Sequence, residues 1–289
     1  MLRTVVRAAR PKQWVKNVLV FAAPGAAHVL THGDALVRTV VLFVAFCIVS
    51  SGTYFWNDIL DVELDRLHPI KRHRPIASGQ LPIGLARVIG TVAILVGLGL
   101  ATAIRWQAGA VVAGYVLLTL TYSTIWKHLA VLDLIAVAGG FVLRAIAGAV
   151  AVDVPMSTWF LLCTSFASLF IVTGKRYAEL REQGEDAAQA RATLDAYSLG
   201  YLRIVLSVSL GAAVITYCDW AFEITEQIHA SFPFYELSII PMLAALLRYT
   251  LVLEQGHGAA PEEIFLADRM LQALGLVWVI VFALGVYVR

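Results

Sequence analysis

The sequence predicts an all-α polytopic membrane protein, a bundle of nine transmembrane helices with a polar site at the cytoplasmic face. Hydrophobic residues make up 60% of the 289 residues and charged residues only 15%, against about 25% charged residues in an ordinary soluble domain. Mean hydropathy is +0.77. The apolar residues form runs of roughly 18–22, long enough for a helix to cross about 30 Å of hydrocarbon. Lipid is therefore the expected solvent of most of this chain.

Nine apolar runs define the predicted spans in chain order. The first and eighth runs contain Pro24 and Pro241, which packing against neighbouring helices can accommodate. Polar connections at residues 57–82, 175–198 and 255–269 separate some of the runs, and the other links are short. The predicted spans are 14–31, 35–56, 83–104, 107–125, 131–151, 156–174, 199–219, 232–253 and 270–288.

Small residues recur at helical spacing in the fifth predicted span, which contains Ala136, Gly140, Ala145 and Gly148. Small side chains let neighbouring transmembrane helices approach closely. We therefore expect this span to pack tightly inside a single membrane domain that covers residues 1–289.

The distribution of positive charge predicts the orientation of the chain. With a cytoplasmic N-terminus, alternation of nine spans puts the three long polar connections on the cytoplasmic side. All but four of the 22 Lys and Arg residues then belong to that side, the exceptions being Arg38, Arg105, Arg144 and Arg289. Because positive loops stay in the cytoplasm, we expect a multi-pass plasma-membrane protein with its C-terminus on the opposite side.

A cluster of acids continues the second predicted span. At about 100° per residue, Asp58, Asp61 and Asp65 fall within roughly 60° of one another on one helix face. Like charges placed so closely repel one another unless a cation neutralises them. Carboxylate oxygens, with Asn57 beside them, favour Mg²⁺, which bridges carboxylates to phosphates, and Mn²⁺ fits the same oxygens. The sequence therefore predicts a divalent metal site here.

Basic residues lie close to these acids in the sequence. Lys71 and Arg74 follow them in the next loop and can donate charge-assisted hydrogen bonds to phosphate oxygens, although cytoplasmic loops are basic in any case. Lys16 lies about one turn inside the first predicted span, where a lysine needs a partner or a wet cavity. We favour substrate contact for Lys16 over extension of its amine to the interface.

Polar residues at the ends of two other predicted spans extend the candidate site. Tyr122 and Lys127 close the fourth span on the same membrane face, and Lys175 and Arg176 follow the sixth. Glu179 is either a second metal ligand or the i, i+4 partner of Lys175.

Arg144 stands inside the fifth predicted span, where a charged side chain must find a partner. It either holds a substrate phosphate or pairs with a carboxylate or backbone group of another helix. We favour the structural partner.

Residues 57–65 read N-D-x-x-D-x-x-x-D at the end of a second transmembrane span and precede a basic loop. This pattern resembles the first Asp-rich motif of the UbiA superfamily of intramembrane prenyltransferases, whose nine helices also match. The resemblance covers essentially the whole chain. It implies a membrane-embedded enzyme in which Asn57, Asp58, Asp61 and Asp65 hold Mg²⁺ on a substrate pyrophosphate.

Two further stretches, RPKQWVKN at residues 10–17 and GKRYAEL at residues 174–180, resemble the phosphoribosyltransferases of that superfamily. Typical members carry a second Asp-rich motif at the latter position, whereas Lys175 and Arg176 stand there in this chain. Cations suit a directly bound phosphate better than a second metal ion.

The closer resemblance implies transfer of 5-phosphoribosyl from phosphoribosyl pyrophosphate to decaprenyl phosphate or another polyprenyl phosphate, with release of pyrophosphate, for cell-wall arabinan synthesis. The implied partners are these two substrates and the lipid bilayer. The charge distribution indicates no nucleic acid, and a homo-oligomer is compatible with the sequence.

Two alternatives remain at this point. A UbiA-type aromatic prenyltransferase of quinone or haem synthesis would be favoured by a second Asp-rich motif, which we do not find. A transporter would be favoured by internal repeats and polar residues at the membrane midplane, but polarity here concentrates at one face.

Overall fold

The computed structural model describes residues 1–183, 194, 196–229, 232–255, 264–265 and 267–288. Every regular element in these residues is a helix, which confirms the predicted fold class. Contacts divide the chain into two compact units, Met1–Pro155 and Met156–Arg289. The expectation of one domain over residues 1–289 stays a prediction.

The first unit contains seven α-helices and four 3₁₀ segments. The helices are α1 (Leu2–Ala9), α2 (Ala22–Ala26), α3 (Gly33–Leu60), α4 (Val62–Leu67), α5 (Ile83–Ile104), α6 (Trp106–Thr124) and α7 (Leu132–Ala151). The 3₁₀ segments are Pro11–Phe21, Val29–Thr31, Lys71–His73 and Trp126–His128.

The second unit consists, in its described part, of four long helices: α8 (Thr158–Gln183), α9 (Leu199–Ile228), α10 (Phe234–Glu254) and α11 (Arg269–Tyr287). Ser198 and Asp268 cap α9 and α11 by accepting backbone N–H groups of Tyr201 and Leu271. Such caps satisfy donors that the first turn of a helix leaves unpaired. Pro241 lies inside α10 without ending it, as the sequence predicted.

Seven described helices are long and apolar enough to cross a membrane: α3, α5, α7, α8, α9, α10 and α11. Their outward faces carry large apolar side chains, such as Leu95, Val208 and Ile240, each more than 60% exposed. Contiguous apolar surface on this scale is unfavourable in water. The chain is an integral membrane protein. Helix α6, with 19 residues, forms where a span was predicted. Its Gln, Thr and Tyr residues lower its hydropathy, so it is not among the seven helices that are apolar enough by composition.

The first predicted span, 14–31, was wrong as a continuous α-helix. Arg10 adopts a left-handed backbone conformation with φ 54°, Pro11 begins an 11-residue 3₁₀ segment, and the short helix α2 follows. Hydropathy measures the length of an apolar run, not its hydrogen-bond pattern. Since 3₁₀ helices rarely exceed 3–4 residues, the length of this segment depends on packing against the rest of the unit.

That packing forms the main core of the first unit. Val20 of the 3₁₀ segment, Leu42 and Phe46 of α3, Tyr115 of α6 and Ala147 of α7 are all buried in one cluster. The core therefore attaches the N-terminal segment to three of the long helices.

Gly148 permits the closest of these contacts. A Cβ atom at this position would lie 2.0 Å from the carbonyl oxygen of Val20. Only glycine, which has no Cβ atom, avoids this clash. The structure thus confirms close packing at Gly148 of the fifth predicted span, where the neighbour is the 3₁₀ segment.

Replacement of Gly148 by alanine should therefore destabilise the first unit. The new methyl group must displace the backbone at Val20, an overpacking change that typically costs about 1–3 kcal/mol. Gly114→Ala is the matched control because a Cβ there has no neighbour within 4 Å. Apparent unfolding temperatures in one detergent should fall for G148A and not for G114A. Equal temperatures would contradict the close approach.

Candidate active site

The acidic motif occupies a break between two helices. Helix α3 ends at Leu60, Asp61 has φ −94° and ψ 6°, and α4 begins at Val62. The i, i+4 backbone bonds nevertheless continue, since the N–H of Asp61 donates to Asn57 at 3.0 Å and that of Asp65 donates to Asp61 at 2.8 Å. The motif therefore keeps helical register through the break.

Two arginines neutralise the two buried carboxylates of the motif. Asp58 is only 2% exposed, and its Oδ1 lies 2.5 Å from Arg10 Nη2 and 3.2 Å from Arg74 Nη1. The same Arg74 nitrogen lies 2.7 Å from Oδ2 of the buried Asp65. An unpaired carboxylate this deep would be strongly destabilising. Arg74 therefore links the two acids across the helix break.

Asp61, the more exposed acid, pairs with a cation from another segment. Its Oδ1 accepts from Lys127, in the 3₁₀ segment Trp126–His128, and its Oδ2 faces Asn57 Nδ2 at 3.3 Å. The Ser123 hydroxyl donates to Asn57 Oδ1 at 2.9 Å. These bonds join the end of α6 to the end of α3.

Arg10 is a site residue that sequence reasoning did not assign. Its guanidinium also lies 5.0 Å from the Tyr54 ring centroid, within the range of a cation–π contact. Nearby, Trp14 Nε1 donates to Ser51 at 3.0 Å, and the Ser51 hydroxyl lies 3.1 Å from the Ala9 carbonyl. The only sequence signal was its position at the start of the RPKQWVKN stretch.

The loop after α4 brings Arg74 to the acids and is held by local bonds. His68 Nδ1 accepts the backbone N–H groups of Ile70 and Lys71 at 3.2 and 3.3 Å. Burial and the nearby Lys71 ammonium lower the pKa of His68, which favours the neutral ring that these two bonds require. Arg7 of α1 donates to the His73 carbonyl at 2.5 Å, so the N-terminus also supports this loop.

Three other predicted site residues lie in the first unit around these elements. Lys16 is half-buried and donates to Gln13 within its own segment. Lys71 is half-buried beside His68, and Tyr122 is half-buried in the last turn of α6.

Arg144 is buried inside the first unit, and the hydrogen bonds given below join it to groups outside the acidic motif. It donates from Nε to Asn17 Oδ1 at 2.8 Å, from Nη1 to the Gly140 carbonyl at 2.6 Å and from Nη2 to Tyr115 Oη at 3.0 Å. Its guanidinium carbon lies 4.6 Å from the Tyr115 ring centroid and 5.7 Å from that of Phe46. The favoured interpretation, a structural partner, is the one these contacts support, although the acceptors are neutral groups.

The second unit contains the other predicted basic pair. Arg176 Nη1 lies 2.8 Å from Glu179 Oε2, and Lys175 Nζ lies 3.7 Å from Glu179 Oε1. The i, i+4 pairing of Glu179 with Lys175 therefore exists, together with a shorter pairing to Arg176 that the sequence analysis did not consider. Glu182 follows three residues after Glu179, and its side chain lies outside the described residues.

The acidic motif offers the donor chemistry of a hard cation. Asn57, Asp58, Asp61 and Asp65 present only oxygen acceptors, which Mg²⁺ and Mn²⁺ prefer. Within the described residues, however, no three His, Cys, Asp or Glu side chains surround one common metal position. Arg10, Arg74 and Lys127 instead pair with one oxygen each of Asp58, Asp65 and Asp61. In donor chemistry, therefore, the residues of the motif fit a hard divalent ion.

Comparisons with known proteins agree on the family. The profile of the UbiA prenyltransferase family matches residues 18–274. A decaprenyl-phosphate phosphoribosyltransferase of Corynebacterium glutamicum is 41% identical over 288 residues, covering 98% of this chain and 87% of the relative. The enzyme of the same name from Mycolicibacterium smegmatis is 39% identical, covering 98% of this chain and 92% of the relative.

Among solved structures, a UbiA homolog from Archaeoglobus fulgidus bound to GPP and Mg²⁺ superposes with a TM-score of 0.73. The match covers 98% of this chain and 99% of that chain at 16% sequence identity. At this identity the similarity establishes the fold.

The contacts of Arg144 generate a stability prediction. Asn17→Leu keeps the branched shape of the side chain but removes the acceptor of Arg144 Nε, and an unsatisfied buried donor costs about 1–3 kcal/mol. Asn17→Asp retains an oxygen acceptor and adds an opposite charge. The apparent unfolding temperature in detergent should therefore fall for N17L and fall less or rise for N17D. An N17L protein as stable as the unmodified chain would overturn the structural role of this bond.

Proposed function

The chain belongs to the UbiA prenyltransferase family, and we propose that it transfers 5-phosphoribosyl from phosphoribosyl pyrophosphate to decaprenyl phosphate or another polyprenyl phosphate. The product pyrophosphate is released. The observation that carries this proposal is the similarity of about 40% identity to decaprenyl-phosphate phosphoribosyltransferases over nearly the whole length of both chains. The phosphoribosylated lipid would serve cell-wall arabinan synthesis.

In the proposed site, Asn57, Asp58, Asp61 and Asp65 hold Mg²⁺, with Mn²⁺ as a substitute. The Mg²⁺ in the solved structure of the A. fulgidus homolog and the oxygen-only donor set of this chain support that choice. The bound ion would neutralise negative charge on the pyrophosphate leaving group. Asp58 and Asp65 are buried, which fixes their position.

Cationic side chains of the first unit position the substrate phosphates. Arg74 and Lys127 already lie against the acids. Lys16 belongs to the 3₁₀ segment Pro11–Phe21, and Lys71 belongs to the 3₁₀ segment Lys71–His73. Arg and Lys donate strong charge-assisted hydrogen bonds to phosphoryl oxygens. Orientation of two anionic substrates is therefore the main contribution that we assign to these residues.

The remaining predicted residues keep their sequence-based roles in the proposal. Tyr122, at the end of α6, contacts substrate. Arg144 supports the site through Asn17, with direct phosphate contact as the alternative. In the second unit, Lys175 and Arg176 bind phosphate, and Glu179 holds their side chains in place through the ion pairs at 3.7 and 2.8 Å.

The proposed reaction needs no general base. The lipid phosphate is already an anion at neutral pH, so its oxygen can attack C1 of the ribose directly. Bond cleavage to pyrophosphate leaves C1 electron-deficient, and attack from the opposite face inverts the anomeric centre.

The membrane setting fits one water-soluble substrate and one lipid substrate. Phosphoribosyl pyrophosphate is water-soluble and reaches a cytoplasmic site, whereas the polyprenyl tail remains in lipid beside the helices. We place the N-terminus in the cytoplasm and the C-terminus across the plasma membrane, since the charge asymmetry of the chain favours that orientation.

The activity can be tested with purified protein in detergent or liposomes. Radiolabelled phosphoribosyl pyrophosphate, decaprenyl phosphate and Mg²⁺ should give label in the organic phase, and EDTA should abolish it. No lipid label from folded protein, together with product from a prenyl diphosphate and an aromatic acid, would replace this function with aromatic prenyl transfer.

A matched pair of variants tests the acidic motif. Asp61→Asn should lower the transfer rate by at least about 100-fold, the effect expected from loss of one group that stabilises developing charge. Glu63→Gln is the control because Glu63 is exposed and pairs with Arg66 at 2.8 Å. Both variants should elute as folded protein in gel filtration. Comparable turnover by D61N and E63Q would exclude Asp61 from the site.

The proposed orientation has its own test. Green fluorescent protein fused to the C-terminus should remain dark when exported unfolded, whereas alkaline phosphatase at the same position should be active outside the cytoplasm. Fusions after Thr124, on a cytoplasmic connection, should give the reverse pattern. A fluorescent C-terminal fusion would show that the predicted orientation is wrong.

A further inference from the structure

Basic side chains neutralise the acidic motif of the first unit through ion pairs. Asp58 contacts Arg10 and Arg74, Asp65 contacts Arg74, and Asp61 contacts Lys127. Each acid of the motif therefore has at least one cationic partner. These partners come from three separate segments: the residue before the first 3₁₀ segment, the loop after α4, and the segment after α6.

A divalent ion alone meets an unfavourable site in this arrangement. To bind Oδ1 of Asp58 and Oδ2 of Asp65 it must displace Arg10 and Arg74, whose positive charges then remain beside the ion. Repulsion between such charges is strong where the surroundings are poorly solvated, and Asp58 is 2% exposed. The apparent affinity for a metal ion alone is therefore reduced.

A phosphate-bearing ligand alone meets the complementary difficulty. If Arg10, Arg74 and Lys127 turn to phosphate oxygens, they leave Asp58 and Asp65 buried without a cation. Breaking a buried ion pair by removal of one partner is strongly unfavourable. The affinity for pyrophosphate alone is reduced for this reason.

When both ligands arrive, each group exchanges one partner for another of the same sign. The carboxylates pass from the basic side chains to the metal ion, and the basic side chains pass from the carboxylates to the phosphates. We propose that Arg10, Arg74 and Lys127 act as exchangeable counterions, so that the metal ion and the pyrophosphate group bind this site cooperatively. Arg10 thereby becomes a further phosphate-binding residue. This inference rests on the proposed function, because it takes a pyrophosphate-bearing substrate as the ligand.

Cooperativity of this kind is reciprocal: the factor by which pyrophosphate tightens metal binding equals the factor by which metal tightens pyrophosphate binding. Couplings between two sites typically amount to about 5–150-fold. The measurement needs no turnover. Free Mn²⁺ can be followed by its electron paramagnetic resonance signal in a titration of the full chain in detergent, with and without inorganic pyrophosphate, after subtraction of the Mn²⁺–pyrophosphate complex formed in protein-free buffer.

For the unmodified protein, we expect Mn²⁺ to bind at least about fivefold more tightly in the presence of pyrophosphate. Isothermal titration of pyrophosphate with and without Mn²⁺ should return the same factor. Equal Mn²⁺ affinity in both conditions would overturn the proposal, whether or not the protein transfers phosphoribosyl groups.

Variants identify the counterions. Arg10→Gln and Lys127→Gln should each bind Mn²⁺ alone more tightly than the unmodified protein and show a smaller effect of pyrophosphate. Lys127 pairs with Asp61, whose side chain is 20% exposed, so K127Q keeps the test available if R10Q does not fold. Arg66→Gln is the matched control, because Arg66 pairs with Glu63 outside the motif's acidic face, and its coupling should equal that of the unmodified chain.

The outcomes separate this inference from the proposed function. Cooperative binding without transfer of radiolabelled phosphoribosyl to lipid would leave the counterion exchange intact and reject the assigned reaction. Transfer to lipid with independent binding of Mn²⁺ and pyrophosphate would do the reverse. Loss of cooperativity in R66Q as well as in R10Q and K127Q would show a general effect of net charge and would also reject the proposed exchange.

Discussion

Burial of carboxylates beside basic groups is the constraint on which the first unit depends. Asp58 and Asp65 are withdrawn from water, and an ion in such surroundings must be paired. Arg74 supplies one partner from the loop after α4, and Arg10 supplies another from the N-terminus. Ion pairs consequently hold the loop, the start of the chain and the end of α3 together, although Arg10 and Asp58 are 48 positions apart in the sequence.

Periodicity and hydropathy predicted the elements whose pattern is local. The bounds of α5 match the prediction at both ends, and those of α7 differ at one end by one residue. The acidic motif could also be located, because its spacing repeats the helical period. Local pattern could not show that α3 stops at Leu60 while the backbone bonds of the motif continue.

Long-range partners account for what sequence reasoning missed. Arg10 looked like one of several N-terminal basic residues, and only the folded chain shows its contact with Asp58. The 3₁₀ form of residues 11–21 has the same origin: an apolar run predicts burial, but Gly148 permits and Arg144 helps to fix this particular backbone path through Val20 and Asn17.

The buried arginine also bears on how the chain is synthesised. Asn17 and Tyr115, which accept hydrogen bonds from Arg144, both precede it in the sequence. A ribosome therefore delivers the acceptors to the membrane before the helix that carries the guanidinium, and a charged residue entering lipid alone is costly. N-terminal segments generally fold first during synthesis. The order of the sequence thus makes both acceptors of Arg144 available before α7 is inserted.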